Sequence, residues 1–479
     1  MALRIRKDAW KLPPWDPAFE WYAKAVGAMQ ARPISDPRSW RYQAAIHDYV
    51  AAADPAPGPL PPAAHQQRYW RQCQHFCWFF LPWHRMYLFH FERIVAATIV
   101  ELGGPADWAL PYWNYSDDTN PNARVIPAAF RDATLPDGTP NPLRIDERDF
   151  GNDGSPVGDP SDTDVCTALR KTRFESAGQF GDPGLGGGES GFNHGRGFAT
   201  IAGELERVPH GSMHVAVGGF MGAFNTAGLD PLFWLHHANI DRLWQVWRER
   251  DTANSDPAKP LWLTGVRFHF HDHAGQPVSH VSEEVVDTRA VPWEYAYDDT
   301  SNPCLEVERV RTTAERLVTE RRPEMVAATT HVELGERPAV AELAMAPPSG
   351  PARTLAESRG TAPNVYLNLE NITGVGQVSY GVYLNVPEGE TAEQHPELFA
   401  GVLPMFGVEE ASQSDTGHGG SGLHYTLDVT DLVRQLQEQG AWSPGTVRVS
   451  FVPRLRGRET ARESRRPNLE VGRISIYMS

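Results

Sequence analysis

The stretch from Glu206 to Trp247, ERVPHGSMHVAVGGFMGAFNTAGLDPLFWLHHANIDRLWQVW, decides how this chain is read. His210 and His214 are four residues apart, so on a helix the two imidazoles lie one above the other on a single face. Such a pair grips one metal ion. A third imidazole from the His236-His237 pair, on a helix that starts after Asp230-Pro231, completes a three-nitrogen set. Neutral imidazole suits Zn, Cu, Fe or Ni.

The matching half is CQHFCWFFLPWHR, from Cys73 to Arg85. His75, on the approach to a helix, and His84, in its first turn, can point at one ion. His47, on the preceding helical run WRYQAAIH, supplies a third nitrogen. His65, in the Pro-rich loop from Ala53 to His65, is its rival, and His47 is favoured because a ligand belongs on a rigid element. Neither group has Asp or Glu at ligand spacing, which disfavours a carboxylate-bridged di-iron bundle. All-nitrogen ligation by six imidazoles fits a pair of copper ions best.

Composition limits the rest. Across 479 residues the net charge is −16 and the pI about 5.6, which leaves no basic surface for nucleic acid. The basic run from Arg454 to Arg466 is interleaved with Glu459 and Glu463 and reads as a solvated loop. The first residues carry no apolar secretory core, and no run of about 18 apolar residues offers a membrane span. The expectation is a soluble, cytoplasmic protein without a membrane partner. Of the four cysteines, Cys166 and Cys304 are able to pair.

Helical periodicity dominates to about residue 250, and PWHRMYLFHFERIVAATIVELGG reads as a buried bundle helix. The fold class expected is a mainly α catalytic domain over residues 1–310, with a four-helix bundle around a dicopper site. Residues 311–362 read as a helical piece, VRTTAERLVTERRPEMVAA, and a linker, APPSGPARTLAESRGTAP. Residues 363–479 alternate as strands of an all-β sandwich or barrel. His269, His271 and His273 alternate on one strand and read as structural.

Two motifs carry a resemblance. H-x4-F-L-P-W-H-R-x2-L-x3-E, from His75 to Glu92, and D-P-L-F-W-L-H-H-x3-D, from Asp230 to Asp241, resemble the two copper signatures of the tyrosinase and catechol oxidase family of type 3 copper proteins. The resemblance implies two copper ions, held by His47, His75 and His84 and by His210, His214 and His237, with His236 beside them. It implies a thioether from Cys73 to His75, for which Cys77 competes. Glu206 matches a carboxylate that holds a water near the coppers, and Phe224 a gate aromatic. Gly211 stands where members that hydroxylate monophenols often carry Asn, and Val215 adds no charge at the entrance.

The implied activity is oxidation of o-diphenols to o-quinones by dioxygen, with monophenol hydroxylation weak or absent. The alternatives are an o-aminophenol oxidase, a full tyrosinase and, last, a hemocyanin-like oxygen carrier. The partners implied are a small phenol, dioxygen and a copper-delivery protein. Tyr295 and Tyr297 match a Tyr-x-Tyr that closes the family's catalytic domain, near Arg6. The C-terminal sheet is similar to that of plant proenzymes, which implies latency, with Phe406 or Met405 as a plug and a release site at residues 340–362.

Overall fold

The computed structural model describes residues 3–51, 58–192, 201–304, 323–345, 363–414, 420–442, 445–455 and 466–479. Helix α1 (Pro17–Gln30) starts where the Asp16 side chain accepts from Ala18 N–H with Pro17 at the first position. Ser39 caps α2 (Trp40–His47) in the same way through Tyr42 N–H. After the short α3 (Ala63–Tyr69) comes α4 (Phe80–Glu101), buried almost all round, as its lack of a polar stripe requires. It stops at Gly103, whose φ of 85° only glycine adopts freely.

Short helices α5 (Cys166–Leu169), α6 (Ser212–Val217) and α7 (Phe224–Ala227) lead to α8 (Pro231–Arg250), which Asp230 caps through Leu232 N–H. Helices α1, α2, α4 and α8 pack together in one aromatic-rich core.

One buried ionic knot ties this unit. Arg6, on strand β1 (Arg4–Arg6), donates to Glu92 Oε2 at 2.6 Å, to Asp241 Oδ2 at 3.2 Å and to the Tyr297 hydroxyl at 2.8 Å. Asp241 also accepts from Arg85 and from the hydroxyls of Tyr295 and Tyr297. Burial pushes the Asp241 carboxyl up, but Arg85 and Arg6 outweigh it and hold it below the usual carboxylate range. Strands β2 (Phe268–His271) and β3 (Pro277–His280) form a hairpin, and β4 (Tyr295–Tyr297) pairs with β1 in parallel, which sets the Tyr-x-Tyr beside Arg6. Cys166 and Cys304 are joined in a disulfide.

The β unit begins earlier than the sequence suggests. Strands β5 (Glu324–Leu334) and β6 (Ala339–Ala344) occupy part of the span expected as helical piece and linker. Residues 305–322 and 346–362 lie outside the described residues. In isolation PEMVAATTHVEL carries both helix formers and β-branched residues. The decision falls to pairing, because β5 bonds along the length of β12 (Asn468–Met478).

With β7 (Val365–Val375), β8 (Ser379–Leu384), β9 (Phe399–Pro404), β10 (Leu423–Asp428) and β11 (Thr446–Pro453), they make two four-stranded sheets ordered β10-β7-β12-β5 and β6-β11-β8-β9. Their inner faces share one apolar core. The edge strand β9 lies against the Glu206–Val217 segment of the helical unit, so its free edge is covered.

Candidate metal centre

The helices deliver their histidines to one place. His47 is the last residue of α2 and His84 sits in the first turns of α4. His75 stands in an irregular turn just before α4, where Phe76 takes a φ of 54° and its N–H donates to Glu206 Oε1 at 2.7 Å. His210 lies in a π-helical stretch, Glu206–Gly211, that continues into α6 with His214. The sequence predicts a regular helix here. Instead Pro209 and an extended Val208 widen the turn, a distortion common where a helix carries function. His236 and His237 lie on α8.

Two buried groups result: His47, His75 and His84, and His210, His214, His236 and His237, each with ligand atoms within 4.8 Å of one another. The groups face each other. The rings of His84 and His237 stack at 4.4 Å, and His75 and His210 are 5.5 Å apart. His65 is elsewhere, its Nε2 bonded to the Tyr42 hydroxyl at 2.6 Å, and among the described residues His269 and His271 join no metal-holding group.

Backbone carbonyls set the tautomers. Nδ1 of His47 lies 3.0 Å from Phe224 O, that of His84 2.8 Å from Phe80 O, that of His210 3.2 Å from Glu206 O, and that of His214 2.6 Å from Met221 O. A carbonyl only accepts, so each Nδ1 carries the proton and each Nε2 presents its lone pair. Those four Nε2 atoms are buried without a hydrogen-bond partner, and so are both ring nitrogens of His237. Burial holds the rings neutral, pushing His47 down to about 4 and the other four well below the ordinary histidine value.

Such a set of bare imidazole nitrogens is costly unless a cation receives them. It fits two ions of a nitrogen-preferring metal. The His236 Nδ1 instead meets the Tyr115 hydroxyl at 3.1 Å, a contact that sequence reading missed because nothing in YWNYSDD marks it.

Around the centre, Glu206 Oε2 is buried with no partner, and burial raises the carboxyl well above its ordinary value. Phe224 stacks on His75 at 4.5 Å. Neither Cys73, two residues before His75, nor the buried Cys77 is in a disulfide.

The β unit closes the other side. The Phe406 ring lies 3.9 Å from that of His214 at an interplanar angle of 6°, and Phe224 meets it edge-on at 4.5 Å. Met405 is buried in the same apolar cluster, so Phe406 is the one of the pair that stacks on a site imidazole. A Cβ on Gly211 would come within 3.1 Å of Pro404 Cγ. Val215, Phe76 and Phe224 join the β unit's core. Arg454 pairs with Asp159 at 2.7 Å, Lys171 with Asp428 at 3.3 Å, and Arg207 Nη1 donates to Val402 O at 2.5 Å.

Residues 37–250 match the common central domain of tyrosinase, and residues 322–479 match a domain of unknown function. A tyrosinase from a Hahella species is 35% identical over 99% of both chains. The latent form of a chloroplastic polyphenol oxidase from Prunus armeniaca is 27% identical over 91% of this chain and 70% of its own. Latent aurone synthase has the same fold, with a TM-score of 0.64 at 23% identity over 100% of this chain and 89% of its own. Latent apple tyrosinase aligns at 0.63 and 22% identity over 100% and 98%.

Proposed function

The chain belongs to the tyrosinase family of two-copper oxidoreductases, and on that premise we propose that it oxidises o-diphenols to o-quinones with dioxygen, hydroxylates monophenols weakly, and is held shut by its own β unit. His47, His75 and His84 hold one copper in this reading, and His210, His214 and His237 the other. Cys73, two residues before His75 and outside the disulfide, is the thioether partner of His75 in this reading.

One observation carries the reading. The Phe406 ring, 3.9 Å from His214 and nearly parallel to it, already lies where a phenol ring would dock.

When bound, the copper pair exchanges electrons with dioxygen. The chain's own residues do the rest. The carbonyls of Phe224, Phe80, Glu206 and Met221 fix the imidazoles. Phe224, Phe76 and Val215 keep the surroundings of the centre apolar. Glu206, whose Oε2 is buried without a partner, is the acceptor for the phenol proton. Two catechols give up four electrons and four protons, so one dioxygen becomes two waters. Gly211 brings no side chain to orient a water for hydroxylation, which supports the diphenol preference.

Oxygen uptake tests this on the copper-loaded chain, with tyrosol, 4-methylcatechol and 2-aminophenol, before and after a cut between Cys304 and Glu324. The cut is expected to raise the rate on 4-methylcatechol most. An unchanged rate removes latency, and reversible oxygen binding without turnover turns the assignment toward a carrier. A cut between Met345 and Pro363 is expected to leave the enzyme shut, because β5 and β6 still pair with β12 and β11. Activation by that second cut would instead put the release site within residues 340–362. No described helix is long and apolar enough to cross a membrane. The Cys166–Cys304 disulfide supports an oxidising compartment over the cytoplasm expected from the sequence.

A further inference from the structure

Among the described residues, nine histidines keep a buried Nε2 with no hydrogen-bond partner. Seven of them line the metal centre. The other two are His90 and His280, and they stand against each other, with ring centroids 5.1 Å apart at an interplanar angle of 22°. Within the set His47, His75 and His84, and within His210, His214 and His237, the centroids are 4.6 to 5.9 Å apart. His90 and His280 therefore have both the bare nitrogens and the ring spacing of a metal-holding set.

The fold brings them together from two elements. His90 lies on α4, and in the hairpin β3 sets His280 opposite Phe268 and Val278 opposite Phe270, so these four side chains share one face. Phe270 stacks on His90 at 5.5 Å, and Trp293 meets His280 edge-on at 5.0 Å. His90 is 5% exposed, while the His280 side chain keeps 15% of its surface, so water reaches the pair from one side. Glu284, in the 3-10 turn Ser282–Val285 that follows β3, places Oε2 2.7 Å from His280 Nδ1. A carboxylate only accepts, so Nδ1 carries the proton and Nε2 is left to bind, as in metal sites where a carboxylate orients the ligand imidazole. Burial, ahead of the neighbouring His280, keeps the His90 ring neutral.

We propose that His90 and His280 clip a further transition-metal ion, divalent copper or zinc, between α4 and the β2–β3 hairpin, with water completing its coordination. Imidazole nitrogen suits both ions, and copper binds such a pair more tightly than zinc. The clip lies about 9 Å along the helix axis from His84, outside the dicopper centre. It ties the hairpin to the helix that carries that ligand, and it does not depend on which phenol the centre oxidises.

The test uses the copper-loaded full chain, dialysed against micromolar Zn2+ and analysed for both metals. About one Zn2+ per chain is expected to bind with the copper content unchanged, and the melting temperature is expected to rise with Zn2+ concentration. His280→Phe keeps an aromatic ring beside Trp293 and is expected to lose this Zn2+ while copper content and 4-methylcatechol oxidation stay as they were. Glu284→Gln, at a more exposed position, leaves both rings in place and is expected to weaken Zn2+ binding about tenfold.

With Cu2+ as the added ion, the electron paramagnetic resonance spectrum is expected to show splitting by two imidazole nitrogens, absent from His280→Phe. No further ion, or a Zn2+ that enters only as copper leaves, overturns the proposal. So does binding that survives His280→Phe and is lost in His273→Ala, which would place the ion on exposed imidazoles of the hairpin.

Discussion

The two histidine groups are alike in what they offer a metal and unlike in what covers them. His75 lies under Phe224, a residue of the same helical unit, whose own carbonyl also fixes His47. His214 lies under Phe406, which comes from the β unit and reaches across the interface. The first cover is part of the scaffold that holds the ligands, so it cannot leave without disturbing them. The second is held over the centre by docking contacts, among them Arg454–Asp159, Lys171–Asp428 and Arg207–Val402. Access is therefore controlled on one side of the centre.

If the halves are equal in metal binding, His84→Ala and His214→Ala should fail alike. Each is expected to lower copper content and to cut 4-methylcatechol oxidation by more than the roughly 100-fold that losing a supporting partner costs. Elemental analysis beside oxygen uptake checks this, and a variant that kept both coppers would remove its residue from the ligand set.

The covers should then separate. Phe406→Ala removes a buried aromatic anchor worth about 2 kcal/mol of docking, which opens the intact chain roughly thirtyfold. Phe224→Ala is expected to leave the uncut chain latent. Equal activation by the two would mean that the covers do not differ.

Gly211→Asn acts at the seam. Its Cβ meets Pro404, so docking should weaken by a few fold, read as activity before cutting relative to after. Hydroxylation of tyrosol by the cut variant would show that the missing side chain limits monophenol chemistry.

The smallest expected effect depends on pH. Glu410, just beyond the plug, is pushed up to about 7 by burial first, then by Asp48 and Glu409. A carboxyl raised in the docked form favours docking while protonated. Docking is thus strongest below its free pKa and weakens as pH rises toward 7. Latency should fall across that window, and Glu410→Gln should flatten the profile.

Much of the centre was legible in the chain. The i, i+4 spacing of His210 and His214 follows from helix periodicity, which is local and survives in sequence, whereas the His75 to Glu92 signature was legible through its resemblance to a copper signature. The strands of residues 324–344 were not legible, because a run with mixed propensity takes its state from the β11 and β12 partners it pairs with. The carbonyls that set the imidazole tautomers left no mark either, since every residue carries one.

By itself, the sequence determined two sets of histidines able to hold metal and the division into a helical and a β unit. Only the tertiary structure decided that Phe406 rather than Met405 stacks on His214, that Pro404 fills the space at Gly211 and that Asp241 sits in a buried ionic knot. Those contacts join residues far apart in the chain, and side-chain direction across an interface is fixed by packing, which no local periodicity encodes.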